Sequence, residues 1–370
     1  MLYRALLLVI VSGSQVCATS TFWTNKQANI YSWNVNDNWN PSGFPNAAGD
    51  VANMTNNILG NQTTVLNQAS ITVGILNIGD SNTTHSFTIS TNGVGQTLVM
   101  DNGGSPAEIN QVSTSLGSLI ESLLQFNGAG IISNGASLLT RPLTISGDIS
   151  GGTVMTKAGP GMVVISNSTL INGEIALGEG ILKLSPTIDM THTGRISGTG
   201  TLIKDGTKAL TIFGTNSVGV NSNMNGTLII NGGDFTNTGL YFGGARTATL
   251  VATNGAHVYT PNTTGTYFTV QSSVLLVGTN TGNGMVSGWD FGGGTAILNN
   301  ADMTINGTIV SNAACMVVGG SLIAASVNSS ATITNGGRLF SARGIVGNGQ
   351  VNGVKATNCL VTIAGADSGS

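Results

Sequence analysis

Residues 152–165 read GTVMTKAGPGMVVI, and residues 200–212 read GTLIKDGTKALTI. Each copy holds a short apolar strand, a Lys-x-Gly turn and a second apolar strand, and a polar corner ending in Asn follows it. Internal repetition of this kind is typical of a solenoid, in which no unit buries its apolar face alone and stacked neighbours supply the core. The repeat therefore predicts a coil of stacked turns.

The rest of the chain has the texture of the same coil. From residue 60 onward, apolar runs of two to four residues alternate with turns rich in Gly, Asn and Ser, which predicts short strands. One stretch competes, because Leu116, Ile120, Leu123 and Leu124 have helical spacing. With about 20 to 25 residues per turn, we expect about 14 to 17 turns, and a rod of about 70 to 80 Å at about 4.8 Å per turn.

The chain is poor in charge, and stacking explains why. Only 7% of its 370 residues are charged, against about 25% in ordinary soluble domains. In a parallel coil each side chain lies about 4.8 Å from its counterpart in the next turn, where like charges repel by about 1 kcal/mol even in water. Neutral Asn, Thr and Ser avoid that cost, and Asn ladders gain hydrogen bonds along the stack.

The N-terminal segment differs from the rest, because Trp23, Trp33 and Trp39 cluster there with Pro41 and Pro45. An open coil needs a cover over its first strand edge, so we predict a packed N-terminal cap. The alternative is an exposed aromatic platform that stacks on sugar rings. The predicted organisation is a signal peptide over 1–18, the cap and first rung over 19–60, and a β-helix over 61–370 that is cut short at its C-terminus.

The first residues predict export. Arg4 precedes the apolar run Ala5 to Val11, and small residues around Cys17 suit a cleavage site, as in a secretory signal peptide. The run is shorter than the roughly 20 residues that span a bilayer. We therefore expect a secreted or cell-surface protein, in which Cys315 and Cys359 either form a disulfide or remain buried thiols.

The charge balance speaks against two classes of partner. The net charge is −3, and the 12 Lys and Arg residues are scattered along the chain without a basic patch. Nucleic acid binding needs such a patch to neutralise phosphates, and so does contact with an anionic membrane surface. We therefore expect neither partner.

The repeated phrases resemble a known family. Residues 152–184 and 200–233 are similar to the autotransporter-associated β-strand repeat, with its strand, Lys-x-Gly turn, strand and Thr-strand-Asn-Gly segment. The resemblance implies a right-handed parallel β-helix, export from a Gram-negative type of bacterium, and a role as a surface stalk or adhesin-like passenger. It implies no catalytic residue and no cofactor. Lys157 and Lys204 are then the lysines of the motif, expected in turns with their charge in solvent.

The chain differs from the family pattern near its C-terminal end. A membrane barrel of alternating strands does not precede Ser370. We therefore expect either a released protein or a fragment whose membrane contact is through a missing C-terminal anchor or barrel.

Signatures of catalysis and of metal binding are not found in the sequence. The histidines His85, His192 and His257 have no metal-ligand spacing, and no nucleophile elbow, phosphate loop or zinc signature occurs. We therefore expect no enzyme, no metal and no cofactor. The rival hypothesis is a polysaccharide lyase or glycosidase, in which stacking brings together paired carboxylates, with the candidates Asp148, Asp189, Asp205 and Asp234.

A second rival is a carbohydrate-binding or adhesive module that recognises host-surface or extracellular glycans. Exposed aromatic side chains on successive turns would form a strip on which sugar rings stack. The alternative for these residues is ordinary strand packing. The candidate glycan contacts are Trp289, Tyr241, Phe242, Tyr259, Tyr267 and Phe268.

Overall fold

A computed structural model of the chain describes residues 18–370. Its gaps are 94, 167–172, 224, 244–247, 254–255, 260–266, 272–273, 278–287, 291–294, 300–301, 307–308, 319–329, 335–337, 347–358 and 365–370. Strand accounts for 54% of the chain and helix for 1%, and the strands pair in parallel through a long sheet. The predicted all-β, parallel β-helix class is therefore confirmed. The predicted signal peptide lies outside the described residues, apart from Ala18.

Three strands make one turn, and each turn runs over three flat faces in the same order, here named A, B and C. Before the first full turn come β1 (Ser20–Trp23), β2 (Asn29–Ser32), a 3-10 helix (Asn36–Asn38) and β3 (Trp39–Asn40). Face A contains β4 (Val51–Met54), β7 (Ile75–Ile78), β10 (Ala107–Gln111), β13 (Gly130–Asn134), β16 (Val154–Ala158), β18 (Glu174–Leu177), β21 (Ile196–Gly198), β28 (His257–Tyr259) and β31 (Gly288–Asp290).

Faces B and C follow the same rule. Face B contains β5 (Gln62–Leu66), β8 (Phe87–Thr91), β11 (Ser118–Ile120), β14 (Leu143–Ile145), β17 (Met162–Ile165), β19 (Ile181–Leu184), β22 (Thr201–Lys204), β29 (Tyr267–Gln271) and β32 (Thr295–Asn299). Face C contains β6 (Ser70–Val73), β9 (Thr97–Met100), β12 (Leu123–Phe126), β15 (Ile149–Gly151), β20 (Met190–His192), β23 (Leu210–Phe213), β25 (Gly226–Asn231), β27 (Ala248–Thr253), β30 (Val274–Val277), β33 (Asp302–Asn306), β35 (Ser330–Thr334) and β37 (Leu360–Ala364). Four long strands run from face A into face B without a break: β24 (Asn216–Asn223), β26 (Asp234–Gly243), β34 (Ile309–Val318) and β36 (Arg338–Val346).

The turns differ in length. Val154 pairs with Glu174, 20 residues further on, as predicted. Ile75 pairs with Glu108, 33 residues on, and Ala331 with Val361, 30 residues on, so these two turns are longer than predicted. The described strands from β4 to β37 therefore make thirteen turns. At about 4.8 Å per turn the stack is about 60 Å long, shorter than the predicted rod.

The core is a set of apolar ladders inside the coil. On face B, Ile89, Ile120, Ile145, Ile165 and Leu184 are register partners in successive turns, and each is fully buried. Such ladders bury apolar area that no single turn could bury. The helical alternative for residues 116–124 is wrong, because residues 118–120 and 123–126 are strands.

The three tryptophans of the N-terminal segment form a packed cap. Trp23, Trp33 and Trp39 are 3%, 0% and 2% exposed, so the alternative of an exposed sugar platform is wrong. The ring centroids of Trp33 and Trp39 lie 4.9 Å apart, and those of Trp23 and Trp39 lie 5.0 Å apart. Every indole N–H has a partner: that of Trp23 donates to Gln62 Oε1 at 2.8 Å, that of Trp33 to the Pro45 carbonyl at 3.0 Å and that of Trp39 to the Trp33 carbonyl at 2.8 Å.

The cap also covers a strand edge. β3 lies antiparallel to β1, while β1 pairs in parallel with β4 on its other side. β1 is therefore hydrogen-bonded on both sides, which leaves no free edge at this strand for association with another chain.

Lys157 and Lys204 are buried, so the expectation that they keep their charge in solvent is wrong. Each occupies an inward position near the end of its strand and is no more than 1% exposed. Lys157 Nζ donates to the carbonyls of Ala158 and Gly159, each at 2.7 Å, and to that of Glu179 at 2.9 Å. All three N–H bonds of the ammonium are thereby used.

Lys204 repeats this arrangement. Its Nζ donates to the carbonyls of Asp205, Gly206 and Asn225, each at 2.9 Å. In both cases two acceptors belong to the corner that the lysine itself enters, and the third belongs to the corresponding corner of the next turn. The lysine therefore ties two successive turns together, and we name the arrangement the lysine corner.

Glycines leave the space that the lysine corner needs. Gly159 and Gly206 have φ of +72° and +78°, a region that residues with a β-carbon rarely adopt. In the next turn, a β-carbon on Gly180 would lie 2.4 Å from the Gly159 carbonyl oxygen, and one on Gly226 would lie 2.4 Å from that of Gly206. The glycines thus allow successive corners to approach each other closely.

The two lysine corners lie at different edges of the coil. Lys157 leaves face A, where its register partners are Ile132 and Leu177, whereas Lys204 leaves face B, where its partners are Leu184 and Asn223. The two repeated phrases are therefore not in register with each other. The repeated unit is a corner that fits more than one position, and not a complete turn.

We predict that Lys157→Met and Lys204→Met each lower the free energy of unfolding by about 2 to 4 kcal/mol, because three buried carbonyls lose their donor. Urea unfolding followed by circular dichroism measures this. The control is Lys183→Met, whose ammonium makes a partly exposed ion pair with Asp205 at 2.6 Å and whose loss should cost at most about 1 kcal/mol. Equal effects of the three substitutions would contradict the lysine corner.

The lysine corners also predict how stability depends on pH. Burial lowers the pKa of Lys157 and of Lys204 to about 8, against the opposing effect of carboxylates nearby, and an unfolded lysine titrates near about 10.4. Between these values the unfolded chain binds more protons than the folded protein, so the free energy of unfolding should rise from about pH 8 to about pH 10.5. The double variant carrying Met at both positions should show a smaller rise. A parent protein that loses stability over this range would contradict the prediction.

Candidate functional site

The corner between faces A and B carries long loops in the first four turns. These loops cover residues 55–61, 79–86, 112–117 and 135–142, and we name them the A–B loop cluster. In the next three turns the same corner shrinks to two or three residues. Insertions into the repeats of a solenoid often mark its binding side. The loop cluster is therefore the first candidate for a functional site.

Asp80 holds three of the four loops together. It is fully buried, and its Oδ1 accepts the N–H of Ile58 at 3.2 Å from the preceding turn. Its Oδ2 accepts the N–H and the hydroxyl of Thr84 and the N–H of His85, each at 3.0 Å. The Thr114 hydroxyl donates to the Asp80 carbonyl at 3.1 Å from the following turn.

These contacts also set the ionisation of Asp80. Burial opposes the charged form, but the N–H groups of Thr84, His85 and Ile58 and the Thr84 hydroxyl outweigh burial and hold the pKa of Asp80 below its ordinary value. The same bonds fix Thr83, which has a φ of +65°. A β-branched residue in this region is strained and persists only where its surroundings determine its conformation.

The fourth loop is anchored in the core. The side-chain amides of Gln111 and Asn134 both donate to the Arg141 carbonyl, each at 3.0 Å. Gln111 Nε2 also donates to Asn134 Oδ1 at 2.9 Å. Neighbouring turns therefore hold the loop from inside the coil, and the cluster has a defined shape.

The loop cluster exposes aliphatic side chains. Leu59, Leu116, Leu138 and Leu139 are 59%, 41%, 53% and 58% exposed, and all four lie in these loops. Leucines gathered in this way on a solvent-facing corner are typical of an interaction surface.

A groove of about 340 Å³ lies on face B, and one of the four leucines, Leu116, lines it. It crosses three turns, over the starts of β8, β11 and β14, and its volume is at the lower end of the roughly 300 to 1,000 Å³ typical of ligand sites. Its lining carries no charged side chain and includes Ser86, Thr88, Leu116, Leu119, Pro142 and Thr144. A groove with this lining can bind an apolar group and can form hydrogen bonds to neighbouring polar atoms of the ligand through the Ser and Thr hydroxyls.

A threonine, a histidine and an aspartate lie together in the second loop, but their hydrogen bonds serve to hold the loop in its conformation. The Thr84 hydroxyl lies 2.7 Å from His85 Nδ1, 3.0 Å from Asp80 Oδ2 and 2.6 Å from Asn82 Oδ1. A hydroxyl has one proton to donate, and here Asp80 Oδ2 and Asn82 Oδ1 compete for it. Thr84 is therefore placed to hold the loop and not to act as an activated nucleophile.

The six aromatic residues predicted to contact glycans lie in strands β26, β28, β29 and β31. Their side chains lie outside the described part of the chain. In the described pairings no two of them are register partners: Tyr241 pairs with Ser222 and Thr269, and Trp289 pairs with Val258 and Val310. The backbone thus does not stack them into one ladder, and their contact with glycans stays a prediction.

Two of the four candidate carboxylates lie at the same corner of the coil. Asp189 and Asp205 lie at the corner between faces B and C in successive turns, where both carboxylates act on the charge of Lys204. Each also has a structural partner, because Asp189 Oδ1 accepts the N–H of Ala209 at 2.9 Å and Asp205 pairs with Lys183. Asp148 lies two turns earlier, and Asp234 begins a strand on face A.

The described residues contain no group of three or more His, Cys, Asp and Glu side chains able to hold a metal ion. No helix in this part of the chain has the length and apolarity to span a membrane. The Cys315 side chain lies outside the described residues, so its pairing with Cys359 stays a prediction.

Comparison of the chain with family models, with curated proteins and with solved structures gives no significant match. The inference of function therefore rests on the residues and geometry of the chain itself. Sequence reasoning missed the A–B loop cluster, because polar loops of similar length recur later in the sequence and do not by themselves show which corner they occupy.

We predict that Asp80→Asn loosens the loop cluster, because an amide offers one acceptor oxygen where the carboxylate offers two. The free energy of unfolding should fall by about 1 to 3 kcal/mol, and the amides of Thr84 and His85 should exchange their hydrogens faster. The control is Asp101→Asn at the corner between faces C and A, where the carboxylate accepts bonds from Gly103 and Asn127. Unchanged exchange in the Asp80 variant would contradict its role.

Proposed function

We propose that the protein is an exported, non-catalytic surface stalk or adhesin-like passenger whose stacked turns carry the A–B loop cluster. The observation that carries the proposal is the stack of thirteen described turns, in which four successive turns near the N-terminal end carry long loops at the corner between faces A and B. A rod of this kind separates a binding surface from its point of attachment. The N-terminal sequence and the resemblance to autotransporter-associated repeats support export to the cell surface.

The outer surface suits such a rod. On face A, Asn77 Nδ2 donates to Asn53 Oδ1 at 2.8 Å, and Asn110 Nδ2 donates to Asn77 Oδ1 at 3.2 Å. Asn53 Nδ2 continues the series to the Thr21 carbonyl at 3.1 Å. An outward ladder of neutral amides links the turns on the solvent side without the repulsion that stacked charges would bring.

The alternative is an extracellular polysaccharide-binding or polysaccharide-degrading protein. The observation in its favour is the pair Asp189 and Asp205 beside Lys204, since paired carboxylates serve glycoside hydrolysis. Against it, Lys204 Nζ is occupied by three carbonyls and Asp205 pairs with Lys183. Release of reducing ends from neutral and acidic polysaccharides, lost in Asp189→Asn, would favour the enzyme.

The proposal predicts the location and the N-terminus of the native protein. In its own host the protein should lack its first residues and should be digested by protease added to intact cells. Mass spectrometry of the N-terminal peptide and immunoblotting of cell fractions, with a cytosolic marker as control, measure both. An unprocessed N-terminus together with protection inside intact cells would contradict export.

A further inference from the structure

We infer that the A–B loop cluster is a docking site for an extended segment of a partner protein, which places an apolar side chain in the groove and a carboxylate against Arg141. The inference does not depend on where the protein resides in or outside the cell. It rests on the placement of the leucines, on the groove and on the charges of the four loops.

The leucines supply the driving force. Leu59, Leu116, Leu138 and Leu139 are contributed by three loops that stack at one edge of the coil, and each side chain is at least 41% exposed. Other exposed aliphatic residues lie elsewhere, for example Ile188 at the corner between faces B and C and Leu123 and Leu360 in strands of face C. Burying these leucines against a partner would contribute about 25 cal/mol per Å² of apolar area removed from water.

The groove supplies the anchor position. Leu116, Leu119 and Pro142 give it an apolar lining, while Ser86, Thr88 and Thr144 add hydroxyls that can bond to a peptide backbone. Pockets of this kind accept the large side chains that dominate protein interfaces. Because the groove crosses three turns, it extends about 10 Å along the rod, which matches about three residues of extended chain.

The charges select the partner. The ionisable side chains of the four loops are Asp80, His85 and Arg141. Asp80 is buried and fully hydrogen-bonded, so the charged group left to face a partner is Arg141. Among the described residues the ion pair found is Lys183 with Asp205, and Arg141 takes part in none. Arg141 adjoins Pro142 at one end of the groove, so a carboxylate on the partner is complementary to its guanidinium.

The same chemistry favours a protein over a sugar or a membrane. The four loops contain no Phe, Tyr or Trp, whereas sugar rings stack on aromatic faces. An anionic membrane surface attracts clusters of Lys and Arg, and the loops contain a single arginine. Aliphatic side chains with one guanidinium suit an apolar peptide segment that carries a carboxylate.

The site is also held in its shape before a partner arrives. Asp80 binds residues of two loops, and the amides of Gln111 and Asn134 hold the loop that carries Arg141. A preformed surface loses less conformational entropy when it binds, so more of the contact energy appears as affinity.

The test begins with a phage-displayed library of random dodecapeptides, selected on the purified protein and in parallel on a Leu116→Asn, Leu139→Asn double variant. Synthetic peptides of the enriched sequences are then titrated into the parent and into variants by calorimetry. Arg141→Gln removes the charge but keeps the backbone carbonyl that Gln111 and Asn134 use. The matched control is Ile188→Asn, which removes an exposed aliphatic side chain, 53% exposed, from a different corner. Circular dichroism checks that every variant is folded.

We expect peptides enriched on the parent alone that combine an apolar residue with a nearby Asp or Glu. Their affinity should fall about tenfold or more in the double variant, should fall severalfold in Arg141→Gln, and should be unchanged in Ile188→Asn. Enrichment that is equal on the parent and on the double variant would overturn the inference. So would the absence of peptide enrichment combined with binding of tetragalacturonate or of phosphatidylglycerol vesicles that Arg141→Gln weakens, which would assign the site to an acidic glycan or to a membrane.

Discussion

In a parallel coil every residue lies about 4.8 Å from its counterpart in the next turn, and this proximity constrains the whole molecule. Apolar residues can stack at this spacing, and they form inward ladders such as Ile120, Ile145 and Ile165. Neutral amides satisfy it in the outward ladder of Asn53, Asn77 and Asn110. A buried ammonium satisfies it only where backbone carbonyls surround it, and the Lys-x-Gly corner provides three of them. Charged residues are therefore scarce along the chain, and the two lysines buried inside the coil link its successive turns.

The same constraint explains where function can reside. Strands must keep their register with the turns above and below, so they accept little variation, whereas a corner can lengthen without disturbing the stack. The four loops between faces A and B use this freedom, and buried polar groups, Asp80 above all, give them a fixed shape. A rigid stack with variable corners is a structure on which a binding surface can be built.

The sequence was sufficient for the fold class and for the packed tryptophan cap, because short β-branched runs indicate buried strands and clustered aromatic residues indicate a core. It was not sufficient for the lysine corners. A Lys-x-Gly sequence is typical of an exposed turn. The burial of Lys157 becomes evident only from the alternation of its strand and from its bond to the carbonyl of Glu179, 22 residues away. The loop cluster escaped for a similar reason: the polar residues 79–86 look like a solvated loop until Asp80 is seen to bind Ile58 and Thr84 across two turns.

The central claim is that buried ammonium groups tie neighbouring turns together at their corners. Nuclear magnetic resonance of the protein labelled with ¹⁵N-lysine tests it most directly, because an ammonium held by three carbonyls exchanges its protons with water far more slowly than a solvated one. We predict two slowly exchanging ammonium signals at neutral pH, one absent from Lys157→Met and the other from Lys204→Met. If every lysine ammonium exchanges as fast as free lysine does, the lysine corners do not exist in solution, and the account of how the turns are joined is wrong.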